Sequence, residues 1–296
     1  MLCDTHTHSV HSPDGSNTVL ELCEAAVRAG VGVLAITDHA NIFEDRGKDP
    51  DLVSKFVAQK EAIFAAREQY QGKLKVIYGC ELGEPQLNPA WAEEILAFPF
   101  DMIIGSNHFW AGGDPIYEIT CTPETYRAQV LRFLKVTKDL ILFGGFNTLG
   151  HLDYILRYLQ WSMEDTPSYR GFEPEIEEIL TLLIQRGMAL EINTASLRNK
   201  LGCLIEPWIL KLYRALGGKY ITIGSDAHVV KDVSAGTLDA MRLAYQSGFS
   251  HITYFGRHSP MFSMMCIVSH MREERVSLPS SAPFPLLILS SPVAFP

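Results

Sequence analysis

The sequence has no run approaching the roughly 18 consecutive apolar residues that a membrane-spanning helix needs, although 47% of its 296 residues are hydrophobic. It also lacks an excess of positive charge. Its 25 Lys and Arg stand against 34 Asp and Glu, a formal charge of −9, which disfavours the counterion-displacing contacts of nucleic-acid binding. No CxxC pair occurs among Cys3, Cys23, Cys80, Cys121, Cys203 and Cys266, so reduced thiols acting as small buried hydrophobes are expected rather than a disulfide framework. The opening MLCDTHTH carries no basic flank and no apolar stretch before a cleavage site, which predicts a cytoplasmic protein with no membrane partner. Neither GxGxxG nor GxxxxGK[ST] follows the first apolar run, so the phosphate-cradling loops of open nucleotide-binding sheets have no support.

What the chain does have is alternation. Short buried-strand runs are read at Leu2 to His6, Val33 to Thr37, Lys75 to Cys80, Met102 to Ser106, Thr148 to His151, Met188 to Ile192 and Tyr220 to Gly224. Helical spacing follows the first of them at Val19, Leu22, Cys23, Ala26 and Val27. Further helices are expected near 51–71, 89–97, 123–140, 173–186, 206–216 and 237–247. The 173–186 segment carries one apolar stripe: Ile176, Ile179, Leu180, Leu183 and Ile184. Repeated strand–helix units imply parallel pairing with right-handed crossovers, in a closed barrel or an open doubly wound sheet. The polar residues favour the barrel, because they end nearly every strand and only a barrel brings all C-terminal strand ends to one place. The fold class read from these patterns is α/β, with residues 1–257 as the barrel. Residues 258–296 are expected to be a weakly structured Pro/Ser-rich tail, residues 259–296 holding six prolines and eight serines; a strand or helix capping the barrel is the alternative.

Taken singly, the strand-end residues have bland readings. His6 and His8 share one face of a strand and could be two satisfied polar histidines. His39 could be hydrogen-bonded at a strand end, His108 could cap a loop, and Glu81 could be a solvated carboxylate. Asp226 and His228 repeat the i, i+2 spacing of the first pair. Taken together they resist that reading. Six imidazoles and several carboxylates at one end of successive strands would be left unpaired or mutually repulsive unless a cation held them. Mixed imidazole and carboxylate donors suit zinc, manganese or iron.

HTHSVHSPDG, ITDHA, the Glu after the third strand, NH, GHLD, EINTASLR and GSDAH, in that order between Leu2 and Arg257, resemble the PHP (polymerase and histidinol phosphatase) superfamily. The later segments are most similar to its monofunctional histidinol-phosphate phosphatases. The resemblance implies a distorted (β/α)7 TIM-like barrel with three divalent metal ions at the C-terminal mouth. Position by position, it implies one metal on His6, His8, Glu81 and Asp226, and a second on Asp14, His39 and His228. The third would lie on Glu81, His108 and His151. Asp14 stands where some relatives place a histidine; an Asp there resembles the histidinol phosphatase branch. His11 matches no ligand position, and His251, His258 and His270 are expected at the surface. Arg198 resembles a phosphate-contacting arginine of that branch. Arg157 is a second candidate whose alternative is an exposed helix cation; Asn193 and Asp153 are further pocket candidates.

The activity so implied is hydrolysis of L-histidinol phosphate to L-histidinol and phosphate, in which a metal-activated water attacks phosphorus in line with the leaving alkoxide. Another small phosphomonoester or a nucleotide is the alternative substrate. An amidohydrolase also opens with HxH on a barrel strand, but TDH after the second strand and SDAH at the end fit it less well.

Overall fold

In the computed structural model, residues 1–41, 51–159, 167–199 and 201–265 are described, and they belong to one unit, Met1–Met265. The strands β1 (Leu2–Asp4), β2 (Val31–Ile36), β3 (His39–Asn41), β4 (Lys75–Gly83), β5 (Met102–Ser106), β6 (Thr148–Leu149), β7 (Ala189–Asn193) and β8 (Ile221–Gly224) precede a hairpin of β9 (His251–Gly256) and β10 (Ser259–Met264). Seven of them pair in parallel in the order β1-β2-β4-β5-β6-β7-β8. Hydrogen bonds between the first and last, Thr5 N to Ile223 O (2.8 Å), Asp226 N to His6 O (2.8 Å) and His8 N to Ala227 O (2.8 Å), bring the ends together into a nearly closed barrel. The short β3 lies off this path and pairs in parallel with the C-terminal part of β4, with His39 opposite Glu81.

The helices α1 (Val19–Arg28), α2 (Leu52–Gln69), α3 (Pro89–Leu96), α4 (Pro123–Phe143), α5 (Glu173–Arg186), α6 (Pro207–Ala215) and α7 (Thr237–Gln246) fall where the periodicity places them. Their ends have local causes. Thr18 and Glu21 form a reciprocal capping box at α1, satisfying two of the donors that a helix start leaves orphaned. Pro89, Pro123 and Pro207 occupy first helical positions, where a missing N–H costs nothing. The stripe of α5 is buried at Ile176, Ile179, Leu180 and Leu183, against the sheet and neighbouring helices. Losing one such side chain to alanine costs about 2–5 kcal/mol. None of the helices among the described residues is long and apolar enough to cross a membrane.

Several details differ from the expectations. The first strand ends at Asp4, so His6 and His8 lie just beyond it, and the short β3 is an additional strand. The sixth strand stops at Leu149, so His151 lies just beyond it in a loop. Cys203 is exposed, whereas Cys3, Cys23, Cys80 and Cys121 are buried; Cys266 and His270 lie outside the described residues. The expected tail begins too early. Residues 251–264 pair as an antiparallel hairpin whose two turn residues, Arg257 and His258, both have positive φ (50° and 60°). The turn is tied down by Asp101: its carboxylate accepts from Arg257 N (3.1 Å) and its carbonyl from His258 N (2.8 Å). Ser263 donates to Met1 O (2.8 Å), and the Lys75 ammonium sits over the Tyr254 ring. Met1, Lys75 and Asp101 lie just before or at the starts of β1, β4 and β5, so the hairpin packs under the N-terminal end of the barrel.

Candidate metal centre

At the opposite end, successive βα connections deliver one polar side chain after another. The segment after β1 carries His6 and His8. Its course is set by buried anchors: the Thr7 hydroxyl donates to Ala35 O (2.7 Å), and Asp38 accepts from Ser9 N (2.5 Å) and the Ser9 hydroxyl (2.7 Å). The next turn needs Gly15, since a Cβ there would lie 1.9 Å from Ser9 O. This turn holds Asp14, about half exposed, over the mouth. Ser12 steadies it by donating to Asp14 Oδ1 (2.9 Å). After β8, Asp226 adopts a left-handed φ of 55°, a conformation uncommon outside glycine and concentrated at functional sites.

Glu81 is the centre of the arrangement. Its Oε2 lies 3.2 Å from His6 Nε2, 3.5 Å from His8 Nε2 and 3.0 Å from His39 Nδ1. Its Oε1 lies 2.8 Å from His151 Nε2 and 3.2 Å from His108 Nε2, and accepts from the Ser106 hydroxyl at 2.7 Å. Asp226 Oδ1 is 3.7 Å from His6 Nε2 and 3.4 Å from His8 Nε2. Asp14 Oδ2 bridges His39 Nε2 (3.3 Å) and His228 Nε2 (3.1 Å). All nine predicted donors therefore meet in one place, with Glu81 facing two sides of it. His11 has no place in these contacts, and His258 is exposed at the far end of the barrel.

The electrostatics follow from burial and proximity. Burial alone would raise the pKa of Glu81, but the His6, His108 and His39 imidazoles outweigh it and hold the carboxyl well below its usual range. Asp226 is lowered in the same way, chiefly by His6 against the effect of burial. His8 goes the other way: burial and then the neighbouring His39 push it down to about 3.

Several donor atoms are left without a hydrogen bond although buried: His6 Nε2, His8 Nε2, His39 Nδ1 and Glu81 Oε2. Each such orphan costs on the order of 1–3 kcal/mol, so four converging on one point require a common partner. A divalent cation meets the requirement. Donors about 2.0–2.1 Å from one cation stand roughly 3.0–3.4 Å apart, and the separations here, 2.8–3.7 Å, bracket that spacing. Three sets of donors are close enough to share an ion: His8, Asp14, His39 and His228; His6, His8 and Glu81; His39, Glu81 and His108. The side chains present fit divalent metal.

The mouth opens into a cleft of about 530 Å³ whose walls include Arg157, Arg198, Tyr154, Tyr158 and Tyr117. Arg157 is not an exposed helix cation. It lies on a 3-10 turn, 6% exposed, donating from Nε to the Ser196 hydroxyl (3.0 Å) and from Nη2 to Asn193 Oδ1 (3.1 Å). Asp153 in turn accepts from Ser196. Arg198 donates to Ser225 O (2.6 Å), and its Nε is 3.7 Å from Asp232.

Sequence reasoning passed over two buried carboxylates around this site, Glu191 and Glu84, and read a third, Asp38, only as a polar residue ending the second strand. Glu191 contacts His6 Nδ1 (2.8 Å), Asp38 holds Ser9, and Glu84 accepts from the backbone N–H groups of His108 and Phe109. Glu84 has φ 51°, and burial pushes its carboxyl up to about 8. The signal for Glu191 was a lone acid inside the apolar run MALEIN.

An α/β barrel with imidazole and carboxylate donors converging at its C-terminal mouth defines a metal-binding barrel protein. More narrowly, the chain belongs to the PHP domain family, which its residues 4–195 match. It is 28% identical over 262 residues to the histidinol-phosphatase of Lactococcus lactis, covering 85% of this chain and 93% of that protein. It is likewise 28% identical over 247 residues to a probable histidinol-phosphatase of Clostridium acetobutylicum, covering 82% and 93%. The barrel superimposes with a TM-score of 0.75 on the solved histidinol phosphate phosphatase of Lactococcus lactis in complex with zinc, L-histidinol and phosphate. That match has 24% identity and covers 88% of this chain and 98% of the other.

Proposed function

We propose that this protein is a metal-dependent phosphomonoesterase that hydrolyses L-histidinol phosphate to L-histidinol and phosphate, as a step of histidine biosynthesis in the cytoplasm. The observation that carries the reading is the cluster of buried, unpartnered His6, His8, His39 and Glu81 atoms beside two arginines, in a chain alike over most of its length to histidinol-phosphatases.

His6, His8, Glu81 and Asp226 would hold one cation, Asp14, His39 and His228 a second, and Glu81, His108 and His151 a third, with zinc, manganese or iron all suited to these donors. When bound, such ions neutralise the buried carboxylates, acidify a water and offset charge on the phosphoryl group. The remaining work falls to the chain. Arg157 and Arg198 stand on the cleft wall where a phosphate entering the mouth would meet both guanidinium groups, and such charge-assisted contacts fix the phosphoryl group in orientation. Arg157 is already held by Ser196 and Asn193, so little is lost in ordering it. The aromatic wall of Tyr117, Tyr154 and Tyr158 excludes water on one side.

Phosphate release from L-histidinol phosphate and a panel of other monoesters, including nucleotides, by the full chain loaded with manganese, iron or zinc tests this. Preferential turnover of histidinol phosphate is expected. Preference for a nucleotide would overturn the substrate, and no turnover of any ester would overturn the enzyme.

A further inference from the structure

Behind the predicted ligands lies a buried polar network centred on Glu191, which has no expected role, and on Asn193, expected only as a pocket residue. Strand β7 is wholly buried, yet its inward positions 191 and 193 carry Glu and Asn. Both oxygens of Glu191 are engaged. Oε1 accepts from His6 Nδ1 (2.8 Å), and Oε2 accepts from His151 N (2.8 Å) and Asn193 Nδ2 (3.1 Å). Asn193 Nδ2 also donates to Asp226 Oδ2 (3.2 Å), while its Oδ1 accepts from Arg157 Nη2 (3.1 Å) and Ala195 N (2.9 Å). Room for this comes from Gly224 on the neighbouring strand, where a Cβ would stand 2.3 Å from His6 Cβ and 2.4 Å from Glu191 Oε1.

The chemistry of the partners fixes every group. A carboxylate only accepts, so the proton of a neutral His6 must sit on Nδ1, and the Nε2 lone pair is left facing Glu81 and Asp226. Carboxylates accept and guanidinium donates, so the Asn193 amide has one allowed orientation. An uncharged side chain with a donor at one tip and an acceptor at the other is what bridging two carboxylates to an arginine requires.

We infer that Glu191 and Asn193 are positioning residues: Glu191 sets the tautomer in which His6 offers Nε2 to a cation, and Asn193 ties that carboxylate and Asp226 to the phosphate-facing Arg157. This deepens the proposed function and rests on its assignment of His6 and Asp226 as metal ligands. Partners of this kind, one bond removed from a metal ligand, typically cost 10–100-fold in metal affinity when altered.

Glu191→Gln is the sharp variant because it keeps the shape. A glutamine must turn its oxygen to the His151 and Asn193 donors, which points its NH2 at His6 Nδ1 and drives the His6 proton to Nε2. The opposite orientation sets donors against donors. The experiment measures zinc affinity of the full chain by chelator competition. It also reads the His6 ring nitrogens by 15N NMR of the zinc-loaded, histidine-labelled protein. Wild type is expected to show His6 protonated on Nδ1 and bound through Nε2. Glu191→Gln is expected to bind zinc at least ~10-fold more weakly with an unmetallated His6, its unfolding midpoint in excess chelator staying near that of wild type. Asn193→Ala is expected to weaken both zinc and inorganic phosphate binding, the second of which a merely structural role would not move.

Unchanged zinc affinity in Glu191→Gln would overturn the inference alone. So would a wild-type His6 bound through Nδ1, a result that needs no variant to fold. Zinc bound as described with no turnover of any ester would overturn only the proposed activity, and a wild type that binds no zinc would overturn both.

Discussion

The two ends of the barrel are made from the same strands and treat polar groups in opposite ways. At the N-terminal end, Asp101 is fully used: its carboxylate meets Arg67, Tyr78 N and Arg257 N, and its carbonyl accepts from His258. The hairpin there buries Ile252, Tyr254 and Phe255. A cleft of about 680 Å³ lies beside it, larger than the one at the mouth, yet among the described residues none lining it has a buried polar atom without a partner. The C-terminal mouth leaves four such atoms within reach of one another. Size therefore does not locate the chemistry. The convergence of several unpartnered atoms does, since single ones also occur elsewhere, as at Thr253 of the hairpin, and in barrels of this kind the C-terminal face carries reaction while the N-terminal face carries stability.

That contrast can be broken from either side. The largest effect is expected at the mouth. His39→Ala removes a donor shared between the Asp14 and Glu81 sides and should lower turnover by more than ~100-fold, beyond what the outer partners of metal ligands cost. Circular dichroism should show the barrel still folded, and wild-type turnover would remove His39 from the site. Phe255→Ala should do the reverse at the far end. Denaturant titration should show about 3–5 kcal/mol lost with the turnover of the remaining folded protein unchanged. A matching fall in turnover would mean that the ends are not independent. Stripping the metal with a chelator is next. A ligand present at about 100 times its Kd stabilises by about 2.7 kcal/mol, which corresponds to a fall in melting temperature of roughly 4–5 °C for a chain this long. An unmoved melting curve would deny that the mouth is held together by a cation. Smallest is Arg257→Gly, which relieves a left-handed backbone at the hairpin turn and should stabilise by up to ~1 kcal/mol without touching activity. A loss of stability would show that the arginine side chain, rather than its backbone, matters there.

The same contrast explains what could be read from the sequence. The seven barrel strands were legible because each is a short run buried on both faces, and the helices because their apolar stripes keep a helical period. β3 was not, being three residues long and held only by β4. Nor was the hairpin. A two-residue turn with both φ positive ordinarily announces itself as Asn-Gly or Asp-Gly, and here it is Arg257-His258, held by Asp101 from 156 positions away. At the mouth, the candidate ligands stood out as histidines and acids at strand ends. Glu191 did not, since a single acid in a strand gives no hint that its partner is His6, 185 residues earlier. The burial of Arg157 was hidden for the same reason: Asn193 and Ser196, which hold it, arrive 36 and 39 residues later.

The central claim is that the mouth performs hydrolysis only with its donors filled by metal. Titrating a divalent cation into the metal-free full chain, while following phosphate release from L-histidinol phosphate, tests it most directly. Turnover should start from nothing, rise with added metal and level off near three equivalents per chain, the number that the proposed assignment of ligands requires. Full turnover by the metal-free chain, or none at saturating metal, would contradict the account.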